Sequence, residues 1–288
     1  MGEILVIANP GAARFSDASI GFIKRFFETH GTRVSIYRTK APGDATTRAR
    51  ASRGKYDAVV AMGGDGTINE VTNGLAGSTT PMGILPVGTG NALAQGLNIP
   101  RNDILAAAKI ILKQRKRRVD LGMINQRYFI LVSGVGFDAL VAAKVRPKLK
   151  KYLGILAYPL IGIREISRYR PSLLTVTLRE KVYSGRFVII GNSRVYGGIL
   201  SFATKAEMDD GLLDIIIFGK MGLLPALRYY LGASVRLVHR FADVIYLQTD
   251  AAEIRSETPV PVHMDAEAYG TTPITVRVCK RCLDLVVP

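Results

Sequence analysis

The chain has 288 residues, 48% hydrophobic and 22% charged. That suits one large domain or two modest ones and excludes a disordered chain. Lys and Arg number 39 against 23 Asp and Glu, a formal net charge of +16 that points to an anionic partner.

The first third alternates short apolar runs with helical patterns. "EILVIANP" from Glu3 reads as a strand ending in a turn, and its flanks are wrong for a signal peptide. Ser16 to Thr29 has an N-cap candidate and apolar residues at helical spacing. "RVSIYRT" alternates as a strand does, and "GDATTRARASRG" reads as a helix closed by Gly54. "YDAVVAM" is a buried parallel strand; a glycine loop and a helix from about Thr67 to Leu75 follow it. "MGILPVGTGN" is a further strand and loop, with two helical segments after it. This rhythm argues a parallel sheet covered on both faces.

The pattern changes after Asp120. Leu121 to Val141 and Ser172 to Asn192 read as strands and turns, as do "DGLLDIIIFG" and "PITVRVCKRCLDLVVP". One helix, roughly Leu223 to Arg240, interrupts them. The expectation is two domains: an α/β domain over 1–122, then a mostly β, sandwich-like domain over 123–278. Cys279 and Cys282 form a lone C-x-x-C with no second pair for zinc; they read first as reduced thiols of a cytosolic protein, with a redox pair as the alternative. Leu153 to Ile163 is too short to cross a bilayer, which takes about 20 apolar residues.

Two loops carry the chemistry. In "MGGDGTINE" a strand ends in Gly63-Gly64-Asp65-Gly66 and feeds a helix. Such a turn presents backbone N–H groups to phosphate oxygens, and glycine lets the backbone approach the ligand. The P-loop lysine is absent, and so is G-x-G-x-x-G. Asp65 would repel a bare phosphate but attract a phosphate-bound Mg²⁺. Thr67 offers its hydroxyl to phosphate or to a helix cap. "PVGTGNALA" repeats the design with Gly88-Thr89-Gly90-Asn91. Two such loops on adjacent parallel strands would converge at the carboxyl edge of the sheet.

"GGDGTINEVTNGL" followed by "LPVGTGNALAQGLNIP" resembles the diacylglycerol kinase catalytic-domain family, whose glycine loop is shared with NAD kinases. Further similar pieces lie in order: "ANPGA", "RTKAPGDA", "VDLGMIN", "GVGFDA", "YGGI", "MDDGLLDIIIF" and "VHMDAE". The resemblance covers nearly the whole chain. It implies an α/β nucleotide-binding domain and a β-rich lipid-substrate domain with the active-site cleft between them. It also implies that the tail, 279–288, returns to the first domain.

The resemblance implies that ATP contacts Asn9, Thr39, the loop Gly63, Gly64, Asp65, Gly66, Thr67, Asn69 and Glu70, and the loop Gly88, Thr89, Gly90 and Asn91. Asp65 would belong to the magnesium–nucleotide network. Glu267 matches the carboxylate proposed as base for the acceptor hydroxyl, with Asp265 as the fallback. Glu207, Asp210 and Leu212 match a second, structural Mg²⁺ site, Asp210 by its side chain and the others by their carbonyls. Two departures stand out. Ala92 replaces a family Asp, and Asp265-Ala266-Glu267 replaces Asp-Gly-Glu.

The implied activity is ATP-dependent phosphorylation of a lipid alcohol, diacylglycerol-like, in the cytoplasm and peripherally at a membrane. The alternatives are a sphingoid base, a polyprenol or NAD as acceptor, or a homologue that has lost catalysis. His30, His239 and His263 lack metal spacing, and Asp120 and Asp138 read as structural. Lys144 to Arg170 and Leu223 to Arg240 mix cations with apolar residues, which suits contact with an anionic bilayer. Nucleic acid is set aside for want of any binding signature. A homodimer is left open.

Overall fold

The computed structural model describes residues 2–145, 157–197 and 200–288. Part of the Lys144–Arg170 stretch and of the Tyr196–Ile199 motif therefore lies outside the described residues. The chain divides into two compact units, Met1–Leu121 with Lys280–Pro288, and Gly122–Cys279.

In the first unit four strands run parallel in the order β2 (Arg33–Arg38), β1 (Glu3–Ala8), β3 (Ala58–Gly63), β4 (Met82–Pro86). The end of the last strand, β16 (Ile274–Val286), joins beside β4, with Leu285 opposite Met82. β3 and β4 are buried at every position, which explains their unbroken apolar runs. Helices α1 (Asp17–Thr29), α2 (Asp44–Ala51), α3 (Asp65–Leu75), α4 (Ala92–Gly96) and α5 (Ile104–Lys113) connect them. Ser16 caps α1 through a reciprocal pair with Ser19, and Asp103 caps α5 by accepting from Ala106 N–H. α3 starts at Asp65, inside the glycine loop rather than at Thr67.

Strand β5 (Lys116–Ile124) leads into the second unit, where the strand pairs among the described residues are antiparallel. β6 (Arg127–Phe129) pairs with β5. One sheet has the order β12 (Val244–Thr249), β11 (Leu213–Phe218), β10 (Phe187–Gly191), β7 (Val132–Val135), β14 (Pro261–Met264), β15 (Glu267–Thr271). The start of β16, with β13 (Ala251–Ser256), β8 (Leu174–Leu178) and β9 (Lys181–Gly185), supplies the facing strands. The period-2 rule sorts the core. Val188, Ile190, Ile215 and Ile217 point to Val176, Ile254 and Val276 inside the sandwich. Phe187, Ile189, Ile216 and Phe218 point the other way, onto Tyr229 and Ala233 of a covering helix. Burial on both faces makes residues 187–190 of β10 and 215–218 of β11 continuously apolar.

Among the described residues this unit has the α-helices α6 (Phe137–Lys144), α7 (Ala157–Ile166) and the covering helix α8 (Leu223–Ser234). α6 corrects the expectation of strand up to Val141. Its apolar run is short, and strand and helix look alike at that length. α8 ends at Ser234, and a 3-10 turn, Val238–Arg240, completes the stretch expected as one helix.

The cysteines are also corrected. Neither is a free thiol; both are disulfide-bonded and, as the chain's only two, they pair with each other. In a straight strand residues three apart stand about 10 Å from each other. Here Arg281, between them, has φ 47°, which breaks the extended path.

Candidate active site

The first unit brings the two glycine loops together at the carboxyl ends of β3 and β4. Val87 N–H donates to Gly63 O at 3.0 Å. A Cβ on Gly88 would lie 2.4 Å from Gly64 Cα, so the two backbones touch directly. A Cβ on Gly63 would lie 2.4 Å from Thr67 Oγ1, which seats α3 against its own strand. Asn91 closes the second loop with left-handed backbone at φ 53°, accepting from Gly88 N–H at 3.1 Å and donating to Gly88 O at 2.9 Å. Asp65 reaches across: its Oδ1 accepts from Leu93 N–H of α4 at 3.4 Å, and its Oδ2 would be 3.0 Å from a Cβ on Gly90.

Asn9, after β1, donates from Nδ2 to Thr67 Oγ1 at 3.0 Å and accepts from Gly11 N–H at 2.8 Å. Thr67, Asn69 and Asn91 are buried, so they build the loops. Gly64, Asp65 and Gly66 are half-buried, and Thr89 and Gly90 are exposed, so they form the accessible floor. α3 has no side-chain cap at Gly64, which leaves its positive end facing that floor. Glu70 instead serves α2, which lacks a side-chain cap of its own. Its Oε2 accepts from Ala45 N–H at 3.0 Å, and its carbonyl accepts from Thr46 Oγ1. Thr39 donates its N–H to Ala8 O at 2.9 Å just after β2. Beyond it, the N–H groups of Lys40 and Ala41 hold the Asp44 carboxyl below its usual range.

Arg14 gives no sequence signal, yet it braces the second loop. It donates to Pro86 O and Arg101 O at 3.1 and 2.6 Å, and Arg101 in turn reaches Gly90 O at 3.4 Å.

In the second unit the turn Asp265-Ala266-Glu267 joins β14 to β15. Asp265 and Ala266 both have left-handed backbone, φ 48° and 67°. The Asp265 carboxylate accepts from the N–H groups of Ile130, Leu131 and Val132 at 2.9, 2.9 and 3.0 Å, pinning the turn to the start of β7. Glu267 is half-exposed, and its Oε2 is ion-paired with Arg127 of β6 at 2.7 Å. The Arg127 guanidinium also lies over the Tyr269 ring.

Beneath the turn sits a buried polar group. Ala266 N–H donates to His263 Nδ1 at 3.2 Å, so the Nε2 proton faces Asp138 Oδ2 at 2.5 Å. Tyr196 donates its hydroxyl to the other Asp138 oxygen. Burial by itself would raise the Asp138 carboxyl. The charge and hydrogen bond of His263 and the Tyr196 hydroxyl outweigh it and hold the group below its usual range. Gly134 must be glycine here, because a Cβ would lie 2.4 Å from Asp138 Oδ2. Asp138 and His263 stand 125 positions apart, so no local spacing announces the pair.

The MDDGLLD turn holds the remaining candidates. Leu212 N–H donates to Asp210 Oδ1 at 2.9 Å across Gly211, φ 75°. The Glu207 carboxylate turns to Arg194 at 3.0 Å, which leaves its carbonyl as the atom a cation could use. Among the described residues no cluster of three or more His, Cys, Asp or Glu fit to hold a metal occurs. A cation at Asp210 would therefore rest on one carboxylate, carbonyls and water. Nearby Asp214 is buried, which pushes its carboxyl up to about 6 although Tyr246 donates to it.

A family model of the diacylglycerol kinase catalytic domain matches residues 3–124. A second, the YegS C-terminal NAD kinase beta sandwich-like domain, matches residues 131–287. A diacylglycerol kinase of Bacillus subtilis strain 168 is 32% identical over 279 residues, covering 95% of this chain and 92% of its own length. A diacylglycerol kinase of Staphylococcus aureus strain JH9 is 32% identical over 295 residues, with 98% and 91% covered. A crystal structure from Bacillus anthracis strain Sterne, of a protein provisionally called a diacylglycerol kinase, aligns with a TM-score of 0.84 at 27% identity, covering 99% of this chain and 97% of that one. A second structure from that organism, at 23% identity, shares the fold with a TM-score of 0.77.

Proposed function

The chain belongs to the diacylglycerol kinase catalytic-domain family, and on that premise we propose that it transfers the γ-phosphate of ATP to the hydroxyl of a lipid alcohol, a diacylglycerol-like one. The observation that carries the reading is the backbone contact of Gly64 with Gly88, with the Asp65 carboxylate beside Gly90. A glycine-lined floor fed by a helix N-terminus suits phosphate, and its one carboxylate suits a phosphate-bound cation.

Phosphoryl transfer needs positioning and charge neutralisation. The first unit would bind the nucleotide: the N–H groups at Gly64 to Thr67 face phosphate oxygens, Thr89 adds a hydroxyl, and Asn9 and Asn91 keep the loops in place. Magnesium, when bound, neutralises charge on the phosphate oxygens. Mg²⁺ keeps several waters and takes only one or two carboxylates, so Asp65 alone fits it without an acidic cluster. Ala92 is buried at the start of α4, so a second carboxylate there is absent and Asp65 bears that role by itself. The second unit would bind the lipid, with Glu267 accepting the proton of the acceptor hydroxyl. Arg127 holds the Glu267 side chain in one orientation. Asp210, with the carbonyls of Glu207 and Leu212, would hold a structural cation. Among the described residues no helix is long and apolar enough to cross a membrane.

The test is phosphate transfer from labelled ATP, with Mg²⁺, to a panel of lipid alcohols in mixed micelles containing anionic lipid, with NAD as the soluble acceptor. Transfer to one lipid, lost in Asp65→Ala and Glu267→Ala, is the expected result. Transfer to NAD alone, or none while ATP still binds, would refute the reading.

A further inference from the structure

Helix α8 is apolar on both sides. Ala226, Tyr229, Gly232 and Ala233 form its buried face. Leu223, Leu224, Leu227 and Leu231 are 55, 78, 54 and 60% exposed, on an outward stripe at helical spacing. A helix that covers a sheet normally carries charge on its outer face. On this helix the one charged side chain is Arg228, held by Asp243. α7 continues the pattern. Its Ile166 packs in one cluster with Ala226 of α8, while Leu160 and Ile163 are 54 and 66% exposed. A set of this size is more than the scattered leucines a soluble surface carries.

The charges around it name the occupant. Between Asp214 and Asp243 the sequence contains no carboxylate side chain, but it contains Lys220, Arg228, Arg236 and Arg240. Lys220, Arg236 and Arg240 are exposed. A second copy of the chain seated on this face by two-fold symmetry would set these cations against their own kind. An anionic bilayer has no such conflict: it offers hydrocarbon to the leucines and phosphate to the cations that rim them. We infer that the outward leucine stripe of α8, extended by Leu160 and Ile163 of α7, inserts into the interface of an anionic lipid bilayer and docks the protein there. This rests on the lipid-kinase reading for its purpose but not for its test.

The test is co-sedimentation with vesicles of phosphatidylglycerol mixed with phosphatidylcholine, and with phosphatidylcholine alone. The native chain is compared with Leu224→Asp/Leu231→Asp and with Arg236→Glu/Arg240→Glu, each checked by thermal melting. Partition should fall about tenfold for each leucine removed. The arginine variant should lose its preference for the anionic vesicles. Transfer to a short-chain, water-soluble acceptor should be unchanged in both variants. Unchanged partition of the leucine variant would overturn the inference. So would a native dimer that the leucine substitutions dissociate with no change in partition, since that would seat a second copy on the stripe. Leucine-dependent partition by a protein that phosphorylates no lipid would refute the kinase reading and leave the docking face standing.

Discussion

Replacing Gly88 by Ala should separate the two glycine loops. Its φ lies outside the left-handed range, so alanine is conformationally allowed and the effect is purely one of space. The new Cβ would fall 2.4 Å from Gly64 Cα, 3.1 Å from Gly64 N and 2.8 Å from Asn91 Oδ1. Two of these neighbours are backbone, and the third is fixed by its bonds to Gly88 N and O, so nothing flexible can yield. Ordinary contact begins at 3.4 Å, so the loops must part by about 1 Å. Overpacking of this kind costs about 1–3 kcal/mol. A misplacement of about 1 Å in a positioning site costs on the order of a hundredfold in rate. Urea unfolding and the rate of phosphate transfer measure the two losses, and nucleotide titration shows whether the floor still binds. Gly21→Ala is the control: its Cβ meets nothing within 4 Å inside α1, and it should gain about 0.5–1 kcal/mol. If Gly88→Ala unfolds and binds ATP like the native chain, the backbone contact is not what builds the floor.

Ala266→Gly should stabilise the chain by about 1 kcal/mol in urea unfolding, because φ 67° strains alanine and not glycine; no gain would mean the turn bears no strain. Gly134→Ala should cost about 3–5 kcal/mol by parting His263 from Asp138, and a near-neutral result would show the pair to be dispensable. Asp214 gives a pH test. Its folded carboxyl, at about 6, lies above the ordinary 3.8, so the folded chain binds the extra proton. The stability this adds is full below pH 3.8 and lost as pH rises to about 6, up to about 3 kcal/mol. Asp214→Asn should flatten that slope, and an unchanged slope measured by denaturation across this range would exclude Asp214 as its source.

The parallel sheet and both glycine loops were legible because their causes are local. A buried parallel strand must be apolar throughout, and a backbone that touches another backbone must be glycine. The antiparallel second half was legible from alternation and turns. The rest depended on contacts remote in sequence. Glu70 follows the glycine loop and reads as part of it, but its side chain faces an uncapped helix 25 positions earlier. Arg127 meets Glu267 across 140 positions. The cysteines were misread because a single left-handed residue inside a strand leaves no trace in an apolar–polar pattern.

The turn at Asp265-Ala266-Glu267 gives two neighbouring carboxylates different surroundings. Asp265 accepts three backbone N–H groups, those of Ile130 and Leu131 before β7 and of Val132 at its start, so neutralising or moving it would orphan buried donors at about 1–3 kcal/mol each. A proton acceptor must be free to change its charge during each turnover, and Asp265 could do so only by loosening the strand it anchors. Glu267 lies past the bend on β15, half-exposed, and its carboxylate meets the Arg127 side chain rather than backbone donors. A change in its charge touches a side-chain ion pair and leaves the strand's backbone hydrogen bonds in place. The rigidity of the first acid thus fixes the position of the second, which supports Glu267 rather than Asp265 as the base.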